Sequence, residues 1–568
     1  MRDDNDRGQG SARAAGPAGA DGPGGPGESA PSDRTHPGID VSTGPPRHHA
    51  GPEPWGTGAP EQQRAPHDPQ PSHPAPAGTS PALYNRDLAP TTRSGRTWHA
   101  YSIFTLWAND AHSLGNYTFA IGLFALGLGG WQILLAFLIA SALLFVLLSI
   151  SGIMGERTGV PFPVMSRISF GVVGAKVPAA VRGVVAIAWF GIQTYLAAVV
   201  LKVLIIALYE PAAKLDESTF LGLSPLGWIA FVALWILQVL IVIRGMEMIR
   251  KYEAFAGPII LVTFLALAIW VFTKALSAGI TIDWSPALTA AGDPAPTGGA
   301  MWLDIGKAAA LWVVIYGTFV LNFCDFTRGA PHQKAVLKGN FFGIPINMMF
   351  FAVIVVALSA SEFSLSVDGT FIESPSDVVE QIPNTLLLAL ASLALIILTI
   401  AVNLMANFVA PIYMFANFFP KHLNFKRAAI ITAIIGLIIL PWNLYNSPAV
   451  IEYFLGGLGA LLGPIFGVII VDYWVVRRGR INVPDLYSQD PKGEYAYTRG
   501  TNLKAVAAGA PAAAVALIVA LVPFFEGIAG FSWFIGAILA AAIFWIIADH
   551  HKDYHDVDGE AIAVPPLH

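Results

Sequence analysis

WANDAHSLGN, Trp107 to Asn116, interrupts a long apolar run with an asparagine, an aspartate, a histidine and a second asparagine. Ionisable groups are costly at bilayer depth and mark function when they occur there. Backbone groups in lipid must be satisfied internally, so flanks that span a membrane must be helical. A helix with polar residues in its middle is the feature around which such a fold is organised.

The rest of the chain supports that setting. Of 568 residues, 54% are hydrophobic and 12% charged, about half the charge of an average soluble domain. Mean hydropathy is +0.58. Net charge is −5 and no basic run stands out, so no nucleic-acid partner is expected. The single cysteine, Cys324, excludes an internal disulfide framework and a multi-cysteine metal site. Residues 1–80 are rich in Pro, Gly, Ala, Ser and His, cannot bury enough apolar surface to fold alone, and read as a disordered cytosolic tail. The N-terminus has no apolar h-region, so no cleavable signal peptide is expected.

Twelve apolar segments follow, each long enough for a core that needs roughly 20 helical residues. They fall near 101–127, 131–154, 179–208, 226–243, 255–274, 303–325, 339–361, 384–412, 427–444, 449–475, 503–523 and 528–549. Lys and Arg gather before segment 1 (Arg93, Arg96) and after every second segment thereafter. These are Arg157, Arg167, Lys176 and Arg182; Arg244, Arg250 and Lys251; Arg328, Lys334 and Lys338; Lys421, Lys426 and Arg427; Arg477, Arg478 and Arg480. The alternate stretch from Glu362 to Glu380 has five acids and no base. The positive-inside rule then puts both termini in the cytoplasm. Residues 81–500 read as a core of ten helices, 501–550 as two further helices and 551–568 as a cytosolic tail. Segments 1 and 6 both carry mid-segment polar residues, Asn109, Asp110, His112 and Asn116 in one and Tyr316, Asn322 and Asp325 in the other. That pattern suggests two five-helix halves.

Three constellations could carry function. In WFGIQT, Trp189 and Gln193 share a helix face four residues apart. Gly191 between them permits close approach to the backbone. A flat ring plus an amide suits a planar, uncharged ligand, but an interfacial Trp and an interhelical Gln read equally from spacing. In NLMANFVAP, Asn403, Asn407 and Pro411 share a face, either for a ligand or for interhelical bonds around a proline kink. Asp110 and His112 could relay a proton, or the unwound helix could turn carbonyls to a cation. Asp325 with Arg328, and Asp472 beside the basic run after segment 10, read as local ion pairs. No HExxH, GxSxG or paired-aspartate motif and no filter-like repeat occurs in the helices, so neither an intramembrane enzyme nor a channel is expected, and no catalytic or metal residues are assigned.

Together, YNRDLAPT (84–91), GVPFPVMSRISFG (159–171), WFGIQT (189–194), NFCDFTR (322–328), ANFVAP (406–411) and VDYWVVRRGRI (471–481) resemble nucleobase:cation symporter family 1 over about residues 84–500. The resemblance implies an all-α polytopic membrane protein with twelve transmembrane helices, a LeuT-like 5+5 inverted-repeat core and two C-terminal helices. It implies uptake of a small planar solute by cation symport across the plasma membrane. It gives Trp189 the stacking role and Gln193 and Asn407 the hydrogen bonds, with Gly191 and Ile315 lining the site. Ser113 falls where a hydantoin-carrying member has Gln, and Tyr316 where members often have a second Trp. For the cation, the resemblance points to carbonyls at Asn109 and His112 and to ligands at Leu398, Ala401 and Val402. Ala401 and Val402 replace hydroxyls of a sodium-coupled member, and Thr399 is off register. Losing two of about five oxygen ligands weakens a sodium site severely, so the coupling ion is expected to be H+, with Asp110 and His112 as titrating groups. No other cofactor is implied. A neutral lactam such as uracil or a hydantoin is favoured, with allantoin, cytosine, purines and vitamins as alternatives. An amino acid or amine is less favoured, because a carboxylate needs a Gly-rich unwound stretch and only Gly115 is close.

Overall fold

The computed structural model describes residues 75–284, 295–365, 375–445 and 448–565. Most of the expected N-terminal tail, to residue 74, and part of the acidic stretch lie outside them. Among the described residues the chain is helical, with isolated β-bridges only.

Among the described residues, ten helices are long and apolar enough to cross a membrane. Segment 1 is not among them because it is broken, into α1 (Ala100–Ala111) and α2 (Leu114–Gly122). Then come α3 (Gly130–Thr158), α4 (Lys176–Leu208), α5 (Pro225–Val242) and α6 (Met246–Ser277). Segment 6 is broken into α7 (Gly298–Ile315) and α8 (Gly317–Asn322). The chain continues through α9 (Gln333–Leu365), α10 (Thr385–Phe418), α11 (Phe425–Ile438), α12 (Pro448–Ile470), α13 (Leu503–Leu521) and α14 (Ser532–Ile547). The expected span at 427–444 is therefore cut short. Pro441 disfavours helical backbone in the residue before it, and Leu440 adopts φ 48°.

The two breaks are five segments apart, as a 5+5 plan requires. α1 packs on α6 and α9, α3 on α7, and α4 on α5 and α10. α12, α13 and α14 pack on one another. Gly155 permits a close crossing, since a Cβ there would stand 2.5 Å from the Cα of Cys324.

The basic loops and both described chain ends meet on one face. Asn85 donates to the carbonyls of Pro420 and Leu423. Arg96 donates to those of Glu156 and Ala330. The Tyr487 hydroxyl donates to Leu88, and Val564 pairs with Pro90. Two expectations are corrected here. Arg328 does not pair with Asp325. It donates to the carbonyls of Asp87 and Ala89 and lies over the Tyr413 ring, while Asp325 accepts from the Phe162 amide and from Asn322. The N-terminal strap offers Arg328 carbonyls, which cost less to pair than a buried carboxylate. Arg182 is not a loop residue. It is buried inside α4, where it donates to Thr318 O, Asn322 Oδ1 and Ala406 O. The expected pairing of Asp472 is present, with Arg477 at 3.1 Å.

Candidate substrate and ion site

The break in segment 1 has a local cause. Ser113 takes an extended conformation (ψ 150°) and its hydroxyl accepts the Asn116 amide, capping α2. Serine is favoured there because its oxygen serves an amide that has no helical partner. The Ser113 amide turns to Asp110 O instead of the carbonyl of Asn109. Asn116 then donates to Asp110 O at 2.7 Å and to the Tyr316 hydroxyl at 3.1 Å. That hydroxyl also lies beside the Asp110 carboxylate. Tyr316 is itself the break in segment 6, so one side-chain chain ties the two breaks together. Trp107 and Trp312 flank Tyr316 at 6.2 and 5.6 Å between ring centroids.

His112 does not join this chain. It is fully buried, with Tyr117, Phe264, Phe350 and Phe351 around it at 5.4–5.9 Å. Nδ1 meets the Tyr117 hydroxyl at 2.9 Å and Nε2 meets Asn347 Oδ1 at 3.3 Å. Asn347 spends its amide nitrogen on Trp107 O, so its oxygen accepts. A neutral imidazole protonated on Nε2 satisfies both partners. Among the described residues no hydrogen bond joins His112 to Asp110, so the expected relay between them is not formed.

Trp189 and Gln193 lie one turn apart on α4, and Gln193 faces the start of α2. A Cβ on Gly115 would stand 3.7 Å from Gln193 Nε2. Trp189 and Ile315 are half-buried. Gln193 is buried and its Oε1 has no partner among the described residues. Gly191 is corrected: its open side faces Gly436 O and Pro441, at 2.8 and 2.7 Å from a built Cβ. The close approach it permits is helix to helix, away from a ligand.

Asn407 belongs to a network whose direction is fixed. The Thr194 hydroxyl donates to Phe190 O at 2.8 Å. Gln238 Nε2 donates to Thr194 Oγ1 and to Leu234 O, both at 3.2 Å. Asn403 Nδ2 faces Phe190 O (3.0 Å), Thr194 Oγ1 (3.0 Å) and Gln238 Oε1 (2.7 Å). Backbone carbonyls can only accept, so Asn403 must turn its nitrogen to them and its oxygen to Asn407. Asn407 Nδ2 fills that oxygen at 2.9 Å. What Asn407 has left to present is its own oxygen and its second N–H. A π-helical turn, Leu404–Phe408, carries Asn407. Pro411 has no N–H to return to the Asn407 carbonyl, which accounts for the irregular turn.

At the other side of α1, Asn109 is fully buried. Its Nδ2 donates to Glu253 O at 3.0 Å and to the Glu253 carboxylate. Glu253 Oε1 and Asn109 Oδ1 are buried with no partner among the described residues. Leu398, Ala401 and Val402 are buried on α10 and bring no side-chain oxygen. The Thr399 hydroxyl is spent on Leu395 O, and the Tyr252 hydroxyl takes Ile397 O. Among the described residues, α10 therefore brings no free side-chain hydroxyl to a cation beside Asn109 and His112. Sequence reasoning missed Glu253, Gln238, Asn347 and Arg182. The signal for Glu253 was a carboxylate at the mouth of an apolar helix, next to basic residues that made it read as loop.

The profile of the family described as permease for cytosine/purines, uracil, thiamine and allantoin matches residues 90–536. An allantoin permease of Bacillus subtilis (strain 168) is 34% identical over 466 residues, covering 82% of this chain and 93% of its own. A purine-uracil permease, NCS1, of Arabidopsis thaliana is 33% identical over 485 residues, covering 82% and 78%. The solved structure of Mhp1, a nucleobase-cation-symport-1 family transporter in a closed conformation with bromovinylhydantoin bound, matches with a TM-score of 0.65 at 24% identity. That match covers 81% of this chain and 94% of Mhp1, and it is a likeness of fold.

Proposed function

The chain belongs to the family of permeases for cytosine/purines, uracil, thiamine and allantoin, and we propose that it imports a planar lactam or ureide, of the uracil, hydantoin and allantoin kind, in symport with protons. As a member of that family it is a transporter and not an enzyme. The observation that carries the substrate reading is the polarity of the site. Gln193 Oε1 is unpartnered, and Asn407 keeps its oxygen and one N–H to offer. Two amide side chains beside a Trp face, each with an oxygen and an N–H to offer, suit a flat solute that pairs N–H donors with carbonyl acceptors, and they reject an isostere that lacks the donors. Lactams and ureides carry such donors on a neutral ring. Through its hydroxyl and Asn116, Tyr316 ties the break in segment 6 to the break in segment 1.

Proton coupling is supported by the absence of hydroxyls at Ala401 and Val402, since a hard cation needs a full set of oxygens. The basic face, with both described chain ends, is the cytoplasmic one in this reading, and the membrane is the plasma membrane. The test is uptake of labelled allantoin and uracil into cells expressing the chain, with unlabelled hydantoin, cytosine, adenine and thiamine as competitors. Saturable uptake that survives sodium removal and collapses with a protonophore is the expected result. Competition by an N-methylated lactam as strong as by its parent would refute the donor requirement. Sodium-dependent uptake would refute the ion.

A further inference from the structure

Glu253 is the buried acid that the site described above does not use. It lies seven residues into α6 from Met246, about 10 Å along the helix axis at 1.5 Å per residue. It is fully buried and bonded through one carboxylate oxygen to Asn109. Its other oxygen and the Asn109 oxygen both lack a donor. Buried acceptors without donors are rare and call for an explanation. Two on one contact point to a missing hydrogen.

We propose that Glu253 is the residue that carries the coupling proton, on its unpartnered oxygen Oε1. This rests on the reading of the chain as a proton symporter. The charges around Glu253 support the choice. From α1 the group that faces it is Asp110. On its own helix its neighbours are Tyr252 and, nearer the basic face, Glu247, Arg250 and Lys251. Arg250 is committed to Glu247 at 2.5 Å, and Lys251 lies 3.8 Å from the same carboxylate. α5 and the Thr385–Asn403 part of α10 bring no titratable group. Asn347–Leu365 of α9 brings Glu362, at the far end of α6 beside Lys274. Among the described residues, therefore, no cation stands against Glu253. Two carboxylates in one buried region cannot both ionise at ease. Asp110 has the Tyr316 hydroxyl beside it, whereas Glu253 Oε1 has no partner among the described residues, so the proton belongs to Glu253. Asn109 immediately precedes Asp110 at the break. A movement of α1 that closes on substrate also moves the one side chain bonded to Glu253, which is how loading and protonation become linked.

The test is Glu253→Gln in full-length protein in liposomes, with whichever of labelled allantoin or uracil the wild type takes up. The amide keeps the shape and cannot titrate. Expected are retained binding and retained substrate exchange at equal pH, with accumulation driven by a pH gradient lost. The infrared band of a protonated carboxyl, followed against pH, should vanish in the variant. That band reads Glu253 without any substrate. A wild type that moves neither solute but loses the band on Glu253→Gln refutes the function and leaves the proton site standing. Accumulation by the variant with an unchanged pH profile refutes the proton site and leaves the function standing. Sodium-driven uptake abolished by the variant also refutes it. Should Glu253→Gln fail to reach the membrane, Glu253→Asp decides: a displaced pH profile supports the proposal, an unchanged one overturns it.

Discussion

Asn403→Leu tests whether the hydrogen-bond chain behind the site sets what Asn407 presents. Leucine keeps the volume and removes both polar atoms. In the wild type, Asn403 Nδ2 faces three acceptors at 2.7–3.0 Å and Oδ1 takes Asn407 Nδ2 at 2.9 Å. Interhelical hydrogen bonds in a bilayer average about 0.6 kcal/mol with a maximum near 1.7. The two N–H groups of Asn403 supply two such bonds to α4 and α5, a stability loss of roughly 1–1.5 kcal/mol at the average. The bond to Asn407, within α10, is the one that bears on recognition. Its loss should weaken binding by roughly 3- to 20-fold, at 1.4 kcal/mol per factor of ten. The stability part is read as a lowered melting temperature of purified protein. The recognition part is read as the Kd for allantoin or uracil, by tryptophan quenching, in a cycle with Asn407→Ala. If Asn403 acts by holding Asn407, the double variant binds no worse than Asn407→Ala alone, because coupled residues are not additive. Additive losses, or an Asn403→Leu protein that binds like the wild type, would refute the account of site polarity.

Three further outcomes follow from the geometry. Tyr316→Phe removes the hydroxyl that receives Asn116 and serves Asp110; a buried polar group left unsatisfied costs about 1–3 kcal/mol, so uptake kcat/KM should fall roughly 5- to 150-fold, and a loss under twofold would show that the bridge is idle. Gly155→Ala drives a Cβ to 2.5 Å from the Cα of Cys324; overpacking of this sort costs about 1–3 kcal/mol, to be seen as a lower melting temperature, and an unchanged one would refute the close crossing. Ala401→Ser with Val402→Thr returns two hydroxyls to α10, and substrate binding should become stronger in sodium than in choline buffer. Indifference to sodium would show that these two positions do not decide the ion.

The places where sequence reasoning succeeded and failed have one physical pattern. Polar residues inside an apolar run announce themselves by composition, so the breaks at His112–Ser113 and at Tyr316 were legible as sites of irregularity. Asp472 was legible too, because its partner Arg477 is five residues away. Where partners are far along the chain, local spacing misled. Asp325 and Arg328 look like a pair three apart, yet Arg328 bonds residues 239 and 241 positions earlier and Asp325 caps an amide 163 away. Arg182 looked like a loop cation because Lys and Arg mark loops on average, while its acceptors sit on α8 and on the π-turn of α10. Glu253 was passed over for the same reason, beside Arg250 and Lys251, with its bond to Asn109 spanning 144 residues. The direction of the Asn403 chain is the deepest case. Asn403 and Asn407 were legible as a polar face of one helix, but which way the Asn403 amide turns is decided by Phe190 O. A backbone carbonyl has no letter of its own in the sequence, and here it orients the amide whose oxygen holds Asn407.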